Sequence, residues 1–140
     1  MRINMPNVVY NQILSHCMVH LPSEACGVLL GIQDVTKIVI ERFIPLSNVS
    51  MHPKSGFEID HRAWTRLLFE SRTHDQHIIG IIHSHPDSHA IPSSADLQTL
   101  WHTIPTHWIL SCINKESPIL KAFSFHADGT YVLINWVVQH

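Results

Sequence analysis

Two short segments hold the residues whose types and spacing could do chemistry, His83-Ser84-His85-Pro86 and Ser93-Ser94-Ala95-Asp96. On a strand, residues i and i+2 project to one side, so His83 and His85 would aim two imidazoles the same way, about 6 to 7 Å apart at Cβ. A metal with bonds of about 2.0 to 2.1 Å to each ring nitrogen can bridge such a pair. Asp96 adds a hard carboxylate in the first turn of a helix beginning near Ser94, where the macrodipole favours its ionised form. Two neutral imidazoles and one carboxylate make a three-ligand catalytic zinc site with its fourth position open for water. A structural account competes: Ser93 at an N-cap with Asp96 three residues on is a capping arrangement, but it leaves the aligned histidines unexplained. A hydrolytic zinc also needs a base, and Glu24 is the candidate, a carboxylate where a polar helix exit meets an apolar strand. Taken alone, that segment is read more simply as a solvated helix end.

Positioning these groups is the task of the surrounding elements. Val9, Ile13, Cys17 and Leu21 recur every fourth residue and predict a helix over Met5 to Leu21, stopped by Pro22. Cys26 to Ile32 and Thr36 to Ile44 are apolar and β-branched and read as a hairpin. Asn48 to Gly56 is a turn-rich loop. A second helix runs from about Asp60, with Ala63, Trp64, Leu67, Leu68 and Ser71 on one face. Ile78 to His85 reads as a buried strand ended by Pro86. A short helix from Ser94 would bury Leu97, Leu100 and Trp101. Strands at Thr106 to Ile113, Ile119 to Phe125 and Thr130 to Val138 complete the chain, the last two joined by the Ala127-Asp128-Gly129 turn. Helices mixed with hairpins, without strict βαβ alternation, predict an α/β domain with a mixed, mainly antiparallel sheet flanked by helices.

At 140 residues and 16.0 kDa the chain has the length of one domain, 1–140. With 45% hydrophobic and 14% charged residues, it lies far from the composition of disordered chains. Nine basic against eleven acidic side chains give no basic field for nucleic acid. No apolar run approaches the roughly 20 residues that span a bilayer, and nothing resembles a signal peptide. Three scattered cysteines, Cys17, Cys26 and Cys112, suit a reducing compartment, so the expected location is cytoplasmic, with no nucleic-acid or membrane partner. Thirteen histidines raise the rate of accidental pairs, so spacing alone can carry the metal argument.

Other templates fail on that spacing. The H-x-H-x-D-H pattern of metallo-β-lactamases is met at His83, His85 and Asp87, but Ser88 holds its next position and His89 falls one residue late. The P-C-x-x-C of zinc deaminases is absent, as are HExxH, Walker A and G-x-G-x-x-G. Nothing fixes a partner for a nucleophilic Cys26 or Cys112.

Glu24, His83-x-His85-Pro86, seven intervening residues to Ser93 and two more to Asp96 resemble the JAMM motif of active MPN-type (JAB) zinc metalloproteases, E…H-x-H-x7-S-x2-D. The stretch Pro22-Ser23-Glu24-Ala25-Cys26-Gly27-Val28-Leu29-Leu30-Gly31 is similar to the P-x-E-x-C-G-x-L-x-G of small stand-alone bacterial members, and Phe57-Glu58-Ile59-Asp60 to their segment after the substrate loop. Ile81-Ile82 stands where eukaryotic members usually carry Trp-Tyr. The resemblance implies a cytidine-deaminase-like fold and one Zn2+ per chain on His83, His85 and Asp96. It makes Glu24 the general base and Ser93 a donor to the oxyanion. It implies hydrolysis of an amide or isopeptide bond after the C-terminal Gly-Gly of a ubiquitin-like sulfur-carrier protein (ThiS/MoaD-like). The loop from Asn48 to Phe57 would form one wall of the groove for that tail, and a homodimer is an assembly it allows. A catalytically silent scaffold and a zinc hydrolase of small amides are the rival readings.

Overall fold

The computed structural model describes residues 2–99 and 101–140. In order these form β1 (Arg2–Pro6), α1 (Asn7–Val19), β2 (Cys26–Gln33), β3 (Lys37–Leu46), α2 (His61–Thr73), β4 (His77–His85), α3 (Ser94–Leu97), β5 (Thr106–Ser111), β6 (Ile119–Phe125), β7 (Tyr131–Ile134) and β8 (Val137–Gln139). All strands join one eight-stranded sheet in the order β7-β6-β5-β4-β2-β3-β1-β8. Four of its pairings are antiparallel and three parallel, the mixed, mainly antiparallel α/β arrangement expected.

The order of strands forces curvature. β7 and β8 occupy opposite edges, yet only Asn135 and Trp136 separate them in the chain. Two linking residues reach about 10 Å, whereas eight flat strands at about 4.8 Å spacing would span more than roughly 30 Å. The sheet therefore curls until its edges approach, and α1 fills the curl. Val9, Ile13 and Cys17 of α1 pack with Ile3, Met5, Leu29, Ile40, Trp108 and Leu110 from four strands. Trp136 closes this core, 5.9 Å from Tyr10 and 5.4 Å from Trp108 between ring centroids. On the outer face, α2 covers β2 and β4 through Leu67, Val28, Leu30, Ile78 and Ile81.

Several expected boundaries shift, each for a tertiary reason. The first helix begins at Asn7, because Ile3 and Met5 alternate inward on β1, which pairs in parallel with both β3 and β8. It ends at Val19, with the His20 N–H bonded to the Met18 carbonyl. The hairpin strands run on to Gln33 and Leu46 along their shared ladder. The α2 face is narrower than its pattern: Leu67 and Ser71 are buried, but Leu68 is 45% exposed. The helix from Ser94 lasts four residues, so Trp101 lies beyond it and Leu100 outside the described residues. β5 stops at Ser111, the next N–H, of Cys112, being given to the His85 carbonyl at 3.0 Å. The expected last strand divides into β7 and β8 at Trp136, where the chain crosses between the sheet edges. The turn before it holds as expected, with Gly129 at φ +85°, a conformation that L side chains resist.

Candidate metal centre

β4 delivers the histidines. In the β2–β4 ladder Cys26 stands opposite His83, so His83 and His85 emerge on the outer face at the last turn of pairing before Pro86. From there the chain doubles back to α3. This return loop is anchored by Ser111, whose hydroxyl donates to the Ser88 carbonyl at 2.7 Å. It is anchored again by His85, whose Nδ1–H donates to the His89 carbonyl at 2.8 Å. A carbonyl only accepts, so that bond fixes a proton on Nδ1, and in the neutral ring Nε2 is then the lone-pair face of His85.

The cap expected of Ser93 and Asp96 forms, and it leaves the carboxylate close to the histidines. The Ser93 Oγ accepts the Asp96 N–H at 3.0 Å, and Asp96 Oδ2 accepts the Ser93 N–H at 2.9 Å, a reciprocal capping box on α3. Clamped by that cap, the carboxylate faces the histidines. Its Oδ1 lies 3.1 Å from His83 Nε2 and its Oδ2 3.1 Å from His85 Nε2, with the two Nε2 atoms 3.2 Å apart. Tetrahedral bonds of about 2.0 to 2.1 Å put neighbouring donors about 3.3 Å apart, close to each of these separations. Among the described residues this is the one cluster of three or more donors that could hold a metal.

Electrostatics favours a cation here. Burial alone would push the Asp96 carboxyl up, but the hydrogen bonds of His83 and His85 outweigh it and hold the group well below the usual carboxylate range. Burial likewise opposes charge on His85, and the Asp96 bond reverses the direction, so its pKa is raised. A divalent ion would take the place of the proton that this carboxylate otherwise favours on His85.

Glu24 occupies the turn between α1 and β2 and is 7% exposed. Burial raises its pKa first of all, while the nearby His83 and His85 lower it and Asp96 raises it. A carboxylate so affected lies within electrostatic reach of the triad, where a proton acceptor is of use. Its main chain is held from outside the sheet: the Glu24 N–H donates to the Pro53 carbonyl at 2.6 Å, and its carbonyl accepts Asn48 Nδ2 at 3.0 Å. Next to it, Ala25 is clamped by Ser84, the residue between the two histidines. Cys26 is buried, and its thiol is pushed up to about 12 by burial and then by Glu24, so it stays protonated and is a poor ligand. Asp87 and His89 are exposed, and His89 reaches the site only through its carbonyl, which disposes of the H-x-H-x-D pattern.

A cleft of about 390 Å³ opens beside the triad, with His83 and Asp96 in its wall. Aromatic pairs line it. Phe57 stacks on His83 at 4.6 Å, Trp64 on Trp101 at 5.1 Å, and His107 on Phe125 at 4.2 Å. The His107 Nε2–H donates to the Trp101 carbonyl at 3.0 Å, and burial lowers the pKa of that ring to about 4. Of this lining, Phe57 ends the loop from Asn48 to Phe57 singled out in the sequence, whereas Trp64, Trp101, His107 and Phe125 come from four separate stretches that only the fold brings together. Asn48 gave no signal beyond that of a turn residue.

Residues 6–126 match the family described as prokaryotic homologs of the JAB domain. A desampylase of Haloferax volcanii is 30% identical over 99 residues, 68% of this chain and 70% of that protein. A probable TtuB-protein conjugate cleaving protease of Thermus thermophilus is 28% identical over 101 residues, 72% of this chain and 65% of that protein. In three dimensions, a solution structure of a Desulfitobacterium hafniense protein superposes with a TM-score of 0.86 at 28% identity, covering 99% of this chain and 93% of the other.

Proposed function

This chain belongs to the prokaryotic homologs of the JAB domain, and on that premise we propose that it is a zinc-dependent metallopeptidase cleaving the amide or isopeptide bond after the C-terminal Gly-Gly of a ubiquitin-like sulfur carrier. The observation that carries the reading is the convergence of three donor residues, their facing ring and carboxylate atoms 3.1 to 3.2 Å apart, with the buried carboxylate of Glu24 in electrostatic reach. The names of two relatives, a desampylase and a TtuB-protein conjugate cleaving protease, support a conjugate as substrate.

His83, His85 and Asp96 would hold the zinc, which when bound lowers the pKa of a water to about 7 and polarises a carbonyl. Glu24 takes a proton from the attacking water and returns it to the departing amine, so one side chain serves both halves of the reaction. Its raised pKa suits that exchange, since a carboxylate poised nearer neutrality accepts and releases a proton more evenly. Ser93 uses its oxygen lone pair for the cap, which leaves its O–H to donate where negative charge develops on the substrate carbonyl. The substrate tail lies extended against the loop carrying Phe57. Glycines are required there because a side chain beside the scissile carbonyl would meet walls that approach the backbone closely.

The test is mass spectrometry of a sulfur carrier extended by cysteine or another amino acid, beside its Gly-to-Ala variants, free dipeptides and a diubiquitin panel. Release of the group beyond Gly-Gly, with alanine variants and diubiquitin barely cut, is expected. Faster cleavage of diubiquitin than of every carrier adduct would defeat the sulfur-carrier assignment. Dipeptide turnover alone would make the protein a small-amide hydrolase, and bound zinc without any turnover a scaffold.

A further inference from the structure

We propose that Asn48 is a positioning residue for the reaction, transmitting the placement of the 48–58 loop to the main chain of Glu24. The inference rests on the reading of Glu24 as the general base.

Glu24 is the residue at which the sheet gives out. The β2–β4 ladder begins at Cys26 opposite His83, and Ala25 is still tied to β4 by two bonds to Ser84. Glu24 instead gives both main-chain groups to the loop, its N–H to Pro53 and its carbonyl to Asn48. The sequence therefore leaves the angle at which this carboxylate leaves the chain to a loop, not to a strand.

The Asn48 side chain is saturated. Nδ2 donates to the Glu24 carbonyl at 3.0 Å and the Gly56 carbonyl at 2.9 Å, while Oδ1 accepts the Ser50 and Glu58 N–H groups at 3.0 Å each. An amide has two donors and two acceptor lone pairs, so no capacity is left over. Gly56 and Glu58 flank Phe57, the ring stacked on His83. One half-buried side chain thus joins both neighbours of a cleft-wall aromatic to the residue that carries the base. Closing the loop requires the bonds to Ser50, Gly56 and Glu58 but none to Glu24. The fourth bond ties the closed loop to the main chain of Glu24.

The two roles separate in kinetics. A loop-closing residue shapes the wall against which substrate lies, so its loss raises KM; a positioning residue for the base lowers kcat and leaves KM in place. Asn48→Asp keeps both acceptor bonds and loses both donor bonds, and Asn48→Ala loses all four, so the pair covers the case in which one variant fails to fold. The zinc-loaded full chain is assayed on a Gly-Gly-tailed carrier adduct, in single turnover and steady state, as wild type, Asn48→Asp, Asn48→Ala, Glu24→Gln and Glu24→Gln/Asn48→Asp.

Expected are unchanged zinc content, KM within twofold of wild type, and kcat down tenfold or more in Asn48→Asp. Added to Glu24→Gln, Asn48→Asp should cost less than a further twofold, since a residue that acts through Glu24 has nothing left to position. A raised KM with unchanged kcat, or losses that multiply in the double variant, would overturn the proposal. If Glu24→Gln is inactive while Asn48→Asp keeps wild-type kcat, this inference fails and the base assignment stands. If Glu24→Gln is itself fully active, the base assignment fails and takes the inference with it.

Discussion

The hydroxyl oxygen of Ser84 accepts the N–H of Ala25 at 2.9 Å, and the Ser84 N–H donates to the Ala25 carbonyl at 3.0 Å. A single residue between the two histidines thereby fixes the chain next to Glu24, and both partners are fully buried.

Ser84→Ala leaves the Ala25 N–H buried without a partner, which costs about 1 to 3 kcal/mol. Urea unfolding should show a lower midpoint with an unchanged slope. An unchanged midpoint would mean that Ala25 finds another acceptor.

Asp96→Ala removes one proposed ligand and the acceptor half of the α3 cap together. Metal analysis should show near-stoichiometric zinc in the wild type and a sharp fall in the variant. Chelation should lower the melting temperature of the wild type far more than that of the variant, because metal affinity is stability where the unfolded chain has no site. Equal zinc in both proteins would remove Asp96 from the centre.

His107 makes stability depend on pH. Its folded pKa of about 4 lies below the ordinary histidine value of 6.5, so between these values the unfolded chain binds a proton that the folded chain refuses. Stability is therefore whole above about pH 7 and falls as pH drops below 6.5, by about 2 kcal/mol between pH 7 and 5. Unfolding at both pH values should show this difference in the wild type and a difference smaller by about that amount in His107→Gln. Equal pH dependence in the two would show that His107 is not the group responsible.

The three candidate donors stood out in the sequence because they are local: His83 and His85 share a strand, and Asp96 sits in the first turn of the helix that Ser93 caps. A period of two or of three to four residues suffices to orient such pairs. Glu24 is 59 residues from His83 and has no such period to speak for it; only its resemblance to a motif singled it out. β1 was misread because Met5 fits the fourfold repeat of α1 as well as the alternation Ile3-Met5, and only pairing with β3 decides between them. The aromatic cleft and the Asn48 bonds are products of tertiary convergence, with no trace in spacing.

Glu24 is proposed to work as a base beside a metal held by His83, His85 and Asp96, and the sharpest check is single-turnover cleavage of a Gly-Gly-tailed adduct by wild type and Glu24→Gln at equal, verified zinc occupancy. The amide has the shape of the acid but cannot take up a water proton, so the variant should keep its zinc and fold and be slower by about 100 to 10,000-fold. Cleavage by Glu24→Gln within about threefold of wild type, well short of what general-base catalysis contributes, would contradict the account.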